Sequence, residues 1–129
     1  QLQKTIFFFF LFSIFEAILQ EGLNCTNGFD EAKKILDEEG ELDIKLKFDN
    51  LILAINVLKH GKGRSYDGLI ANAKSLPFKI KLPNESFFCE GDISEVSTLV
   101  QVDDAFVELC GDIIHEVTVV IQRVHSEFI

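Results

Sequence analysis

The sequence predicts an α+β domain: a small antiparallel sheet packed with two to four helices, ending in a long C-terminal helical segment. A mostly helical bundle is the alternative. Three observations carry this prediction. Segment 41–48 (ELDIKLKF) alternates four charges with four apolar residues, the mark of a strand with one buried and one wet face. Segment 77–83 (PFKIKLP) alternates again, between prolines that suit an edge strand. From Ile93 to Phe128, apolar residues recur in steps of three and four, the period of a helix.

The length of 129 residues leaves room for one compact domain, since a second would be too small to build its own core. Apolar residues make up 47% and charged residues 26%, which excludes disorder as the default state. Twelve Lys and Arg face 21 Asp and Glu, a formal charge of −9. That balance argues against nucleic acid and against an anionic membrane surface as partners.

Taken in order, the first element is an apolar run over 5–15, preceded by Lys4 alone and ended by Glu16. Its length is that of the apolar part of a signal peptide and short of the roughly 20 residues a membrane span needs. The expectation is therefore a signal peptide over 1–22 and a single secreted domain over 23–129, with no membrane span in the mature form. No A-x-A pattern marks the cleavage point, for which Ala17 and Gly22 are the candidates. The alternatives are an uncleaved anchor and a buried N-terminal helix, the latter with no polar face to show to water. Six of the 13 phenylalanines lie in this stretch, so the aromatic excess reads as a sign of export.

Two N-x-[ST] triplets, at Asn24 and Asn84, add the expectation of a secreted glycoprotein. Cys25, Cys89 and Cys110 then predict one disulfide and one leftover thiol, with any of three pairings possible. No C-x-x-C occurs, so neither a zinc site nor a redox pair is indicated.

Asn27, with Asp30 three residues on, predicts a helix start; Phe29, Ala32, Ile35 and Leu36 mark its inner face and Gly40 its end. After the strand over 41–48, the run 51–58 reads as the return strand of a hairpin turning at Asp49 and Asn50. The competing reading caps a helix at Asn50 and buries Leu51, Ala54, Ile55 and Leu58. A basic loop follows, then a short helix over 67–76 with Leu69, Ile70 and Ala73 inward. Residues 86–89 continue the sheet. The C-terminal period predicts helices over 93–110 and 113–126, broken at Gly111 and Asp112, because one 37-residue helix would be about 55 Å long. The β-branched run 117–121 leaves a strand open there.

Few residues suggest chemistry. Glu108, Asp112 and His115 fall on one face of a helix at a spacing that suits a divalent metal, yet no second Glu-x-x-His completes a bundle site. A solvated helix face is the plainer reading. Cys110 and His115 lie five residues apart, on different faces of a helix, and no G-x-S-x-G occurs. Asp103 and Asp104 read as a charged patch in the apolar seam. The loop from Lys59 through His60, Gly61, Lys62 and Gly63 to Arg64 lacks the phosphate-binding pattern and reads as solvated, with an anion site as its sharper alternative.

What remains is aliphatic surface beyond the needs of so small a domain. The predicted function is non-covalent binding, without enzymatic activity, cofactor or metal: the carrying or sequestering of an apolar small molecule or lipid. Leu46, Phe48, Leu53, Ile55, Phe78, Ile80, Val107 and Ile114 are the candidates to line its cavity. The rival reading is a protein-interaction module or homodimer that uses the 93–128 seam. A metal-dependent enzyme built on Glu108, Asp112 and His115 comes third.

Overall fold

The structure, a computed structural model, describes residues 2–82 and 99–129. Among these residues it is a helical bundle of five helices: α1 (Leu2–Gly22), α2 (Gly28–Glu38), α3 (Leu42–His60), α4 (Arg64–Ala71) and α5 (Asp104–Val124). A 3-10 turn at Ala73–Ser75 follows α4. α3 packs against α2, α4 and α5, while α1 lies on α2 and α5.

Among the described residues there is no strand, so the expected α+β fold with a small antiparallel sheet gives way to the helical alternative. The alternation at 41–48 explains the difference. On a helix, residues two apart lie about 200° around the axis and residues four apart share a face. Ile44 and Phe48 therefore turn inward together, whereas Leu42 and Leu46 turn outward together and are exposed. Lys47 pairs with Asp43 at 3.5 Å, an i,i+4 contact that only the helix provides. A strict alternation thus resolves into two opposed helical pairs.

The same helix absorbs 51–58. Asn50 is buried in mid-helix, where its Oδ1 accepts a hydrogen bond from Asn72 Nδ2 at 3.3 Å, instead of forming a turn. Leu51, Ala54 and Ile55 are buried at helical spacing. In the expected strand over 77–83, the described residues pair only through an isolated antiparallel bridge between Ile80 and Val100. Lys81 N–H donates to Leu99 O at 2.7 Å, and Gln101 N–H donates to Lys79 O at 2.9 Å. The expected strand at 86–89 and the start of the expected helix at 93 lie outside the described residues.

α2 forms where its cap predicts: Asn27 Oδ1 accepts from Asp30 N–H at 3.1 Å, and Ala32, Ile35 and Leu36 are buried. Gly40, at φ 73°, and Gly61, at φ 74°, stop α2 and α3 in the left-handed region that glycine tolerates. α4 begins at Arg64, three residues before the predicted start, and buries Tyr66 and Leu69.

α5 corrects the C-terminal prediction. Asp103 is its N-cap, accepting from Phe106 N–H at 2.8 Å, and the helix runs unbroken through Gly111 and Asp112. Starting at 104 leaves 21 residues, about 32 Å at 1.5 Å each, which suits a small domain. Val117, Val120 and Ile121 are buried, and Thr118 Oγ1 donates to Ile114 O at 2.8 Å. Burial on a helical face outweighs the strand preference of the β-branched run.

α1 supplies Phe8, Phe12, Phe15 and Leu19 to the core, at a spacing of four, three and four. Their rings join an edge-to-face series: Phe78 to Phe106 at 5.2 Å, Phe106 to Phe8 at 4.9 Å, Phe8 to Phe12 at 4.9 Å, Phe12 to Phe29 at 6.0 Å, Phe29 to Phe48 at 5.7 Å, and Phe48 to Phe15 at 6.2 Å. Seven phenylalanines from α1, α2, α3, α5 and the 77–80 segment touch in turn. α1 and α2 approach closely at Gly28, where a Cβ would stand 2.7 Å from Leu19 Cβ and 3.0 Å from Glu16 O.

Two glycine substitutions with opposite outcomes check this packing. Gly28→Ala forces α1 and α2 apart and lowers unfolding free energy by about 1–3 kcal/mol. Gly111 has open space around its missing Cβ and sits on the exposed side of α5, so Gly111→Ala raises it by about 0.5–1 kcal/mol. Urea unfolding of the two variants measures both.

Candidate functional site

The feature that most needs explaining is the far side of α1. Between Lys4 and Glu16 this helix carries no charge, so once its inner stripe is buried the opposite stripe is apolar too. Ile6, Phe7, Phe10 and Ile14 are 58%, 52%, 64% and 44% exposed. At 100° per residue they cluster on the side away from Phe8, Phe12, Phe15 and Leu19. The outward residues beside them, Gln3, Ser13 and Ala17, bring no charge, and Glu21 closes the same side two turns beyond Ile14. At the N-terminal end, Lys4 Nζ lies 3.6 Å from Asp104, tying the helix to the start of α5. The stretch from Gln3 to Gly22 also has the length and hydropathy of a membrane span or an export leader.

Among the described residues, the eight predicted lining residues are distributed between core and surface. Phe48, Ile55 and Ile80 are core residues, and Leu53, Phe78, Val107 and Ile114 pack partly buried against them. Leu46 points to solvent. Three surface grooves lie elsewhere. One of about 180 Å³ is formed by residues 77–79 with Gln101, Asp103, Ala105 and Phe106, and Phe78 is the only predicted lining residue in any of them. A second, of about 390 Å³, is walled by Asp30, Lys33, Lys34, Asp37, Lys45 and Asp49. Its charges neutralise one another: Lys33 pairs with Asp49 at 3.3 Å and Lys45 with Asp37 at 3.7 Å. The third, of about 620 Å³, lies along residues 70–75 and Leu82.

The described part of the 93–128 seam, from 99 on, faces mostly inward. Val100, Cys110, Val117, Ile121 and Phe128 are buried in the chain's own core, Val124 is exposed, and Ile93 and Val96 lie outside the described residues. Asp103 is a helix cap and not part of a charged patch. Glu108, Asp112 and His115 are all exposed on α5, and among the described residues no three His, Cys, Asp or Glu side chains converge. Lys59 and His60 occupy the last turn of α3, where positive charge complements the helix dipole.

The expected disulfide is corrected: Cys25 and Cys110 are both free thiols, and Cys89 lies outside the described residues. Cys110 is buried on the inner face of α5, while Cys25 is half-buried in the α1–α2 turn, its Sγ 3.8 Å from Leu19 O. Asn24 sits in that turn at φ 51°, and Asn84 lies outside the described residues. Secretion and glycosylation draw no support from this arrangement. The outer stripe of α1 is legible in the sequence as apolar residues, while the split of the helix into a buried and an exposed face is not, because no charged residue marks it between Lys4 and Glu16.

The chain matches no family model, no curated protein and no solved structure.

Burial pushes the Cys110 thiol up to about 12 from 9.0. The folded chain therefore holds this proton at pH values where the unfolded chain releases it, so stability falls as pH rises from 9 to about 12. Denaturation at stepped pH should show this alkaline loss in the wild type and a flatter profile in Cys110→Ala. Below pH 9, Cys110 should resist iodoacetamide until the protein unfolds, as peptide mapping would read.

Proposed function

We propose that this protein works by non-covalent binding of an apolar partner, with the outer face of α1 as the contact surface. The observation that carries the reading is the exposure of Ile6, Phe7, Phe10 and Ile14 together on a helical face that has no charge between Lys4 and Glu16. Single exposed apolar side chains are ordinary on a protein surface; a contiguous set with two aromatic rings is the composition of a contact site. The apolar binding expected from composition is thereby moved from an internal cavity to the surface. The interaction module expected at the 93–128 seam is moved to the opposite end of the chain, because the seam is largely occupied by the protein's own core.

Binding here needs no hinge and no opening of the bundle. The inner stripe of α1 is locked between α2 and α5, so the outer stripe is presented on a rigid support. Each half-exposed Phe offers about 100 Å² of apolar surface, which at about 25 cal/mol per Å² corresponds to about 2.5 kcal/mol when fully covered.

Titration with an environment-sensitive apolar dye tests the proposal. The wild type should bind, and the double variant Phe7→Ser, Phe10→Ser should bind at least tenfold more weakly while its thermal midpoint stays within a few degrees. Equal dye affinity in the two proteins would overturn the assignment of the surface.

A further inference from the structure

From the size and chemistry of the α1 outer face we infer that its occupant is the surface of an uncharged lipid bilayer, on which α1 lies in the plane of the interface. This rests on the outer face being the contact surface. With about 200 Å² for a fully exposed side chain of this size, the four residues present about 400 Å². A stable protein interface takes about 800 Å² from each partner. The stripe is therefore about half of what a second copy of this chain would need, and the chemistry around it does not supply the rest. Interfaces of protein with protein add about one hydrogen bond per 100–200 Å² at a polar rim. On this side of α1, Ser13 is the sole outward polar side chain between Ile6 and Ile14, and only Gln3 and Glu21 stand beyond the two ends of the stripe, too few to supply such a rim.

A bilayer makes neither demand. It requires no shape complementarity and no hydrogen bonds, only apolar side chains able to enter the headgroup–acyl boundary to about 5–10 Å. Ile6, Phe7, Phe10 and Ile14 reach that depth while the bundle behind α1 stays in water. Insertion across the bilayer is a different state, because it would strip Phe8, Phe12, Phe15 and Leu19 from the core. The net charge of −9 selects among lipids: anionic headgroups repel this chain, whereas zwitterionic ones do not. Lys4, the one cation at the edge of the stripe, already faces Asp104.

Flotation of the full-length chain with phosphatidylcholine vesicles tests this, alongside the apolar-dye titration and sedimentation at micromolar concentration. The wild type should rise with the vesicles and the Phe7→Ser, Phe10→Ser variant should do so at least tenfold less. Replacing a third of the lipid with phosphatidylserine should lower the bound fraction. Flotation that is equal in the variant, or that rises with phosphatidylserine, overturns the inference. A wild type that binds dye but stays with the protein fraction overturns the lipid assignment and leaves the contact surface standing; a dimer that dissociates in the double variant then identifies a second copy as the occupant. A wild type that neither binds dye nor floats sinks the contact surface as well.

Discussion

The whole bundle depends on the contact between the inner stripe of α1 and the phenylalanines of the other elements. Phe8, Phe12 and Phe15 connect rings from α2, α3, α5 and the 77–80 segment into one edge-to-face series. Ring centroids between 4.9 and 6.2 Å fall where the aromatic quadrupoles attract, each pair adding about 0.5–1.5 kcal/mol beyond its area. Phenylalanine has no polar atom that would need a partner when buried, so the series can run through the centre at no cost in unmet hydrogen bonds. Without α1, Phe29, Phe48 and Phe106 would each lose a neighbour from this series.

The polar interactions are arranged around that core and do smaller work. Arg123 reaches Glu41 at 3.1 Å and Lys47 reaches Glu116 at 3.9 Å, joining α5 to the start of α3 at the surface. Exposed pairs of this kind contribute about 0–1 kcal/mol each, enough to favour one helix register over its neighbours but not to hold the bundle. The caps at Asn27 and Asp103 fix where α2 and α5 begin. A helix that is apolar all round needs cover on both sides. α1 receives it on one side from the bundle, and its unmet requirement on the other is the physical origin of the proposed contact surface.

Legibility in the sequence followed the range of the interaction. α2 was readable because its cap, its inner face and its terminating glycine are all local. The helical period of the C-terminal segment was readable for the same reason, although the start of α5 waited on the side chain of Asp103. Segment 41–48 was misread because alternation is ambiguous: it describes a two-faced strand and equally two i,i+4 pairs on opposite sides of a helix. Only the burial of Phe48 beside Phe15 and Phe29, with Leu42 and Leu46 left outside, separates the two. Asn50 misled in a similar way, since a buried asparagine with a partner on a distant segment looks, in sequence, like a turn residue.

By itself the sequence determined that the chain is strongly acidic, that its N-terminal apolar run carries no charge between Lys4 and Glu16, and that two segments are well capped or strongly periodic in the helical sense. Those properties are sums and local patterns, which need no knowledge of neighbours. Tertiary structure alone decided that Leu42–His60 is one helix, that Cys25 and Cys110 are free, and that eight apolar residues expected around a cavity are distributed between core and surface. It also decided which half of α1 is buried. An all-apolar helix has no preferred face until other elements cover one, and the rings at Phe29, Phe48 and Phe106 make that choice.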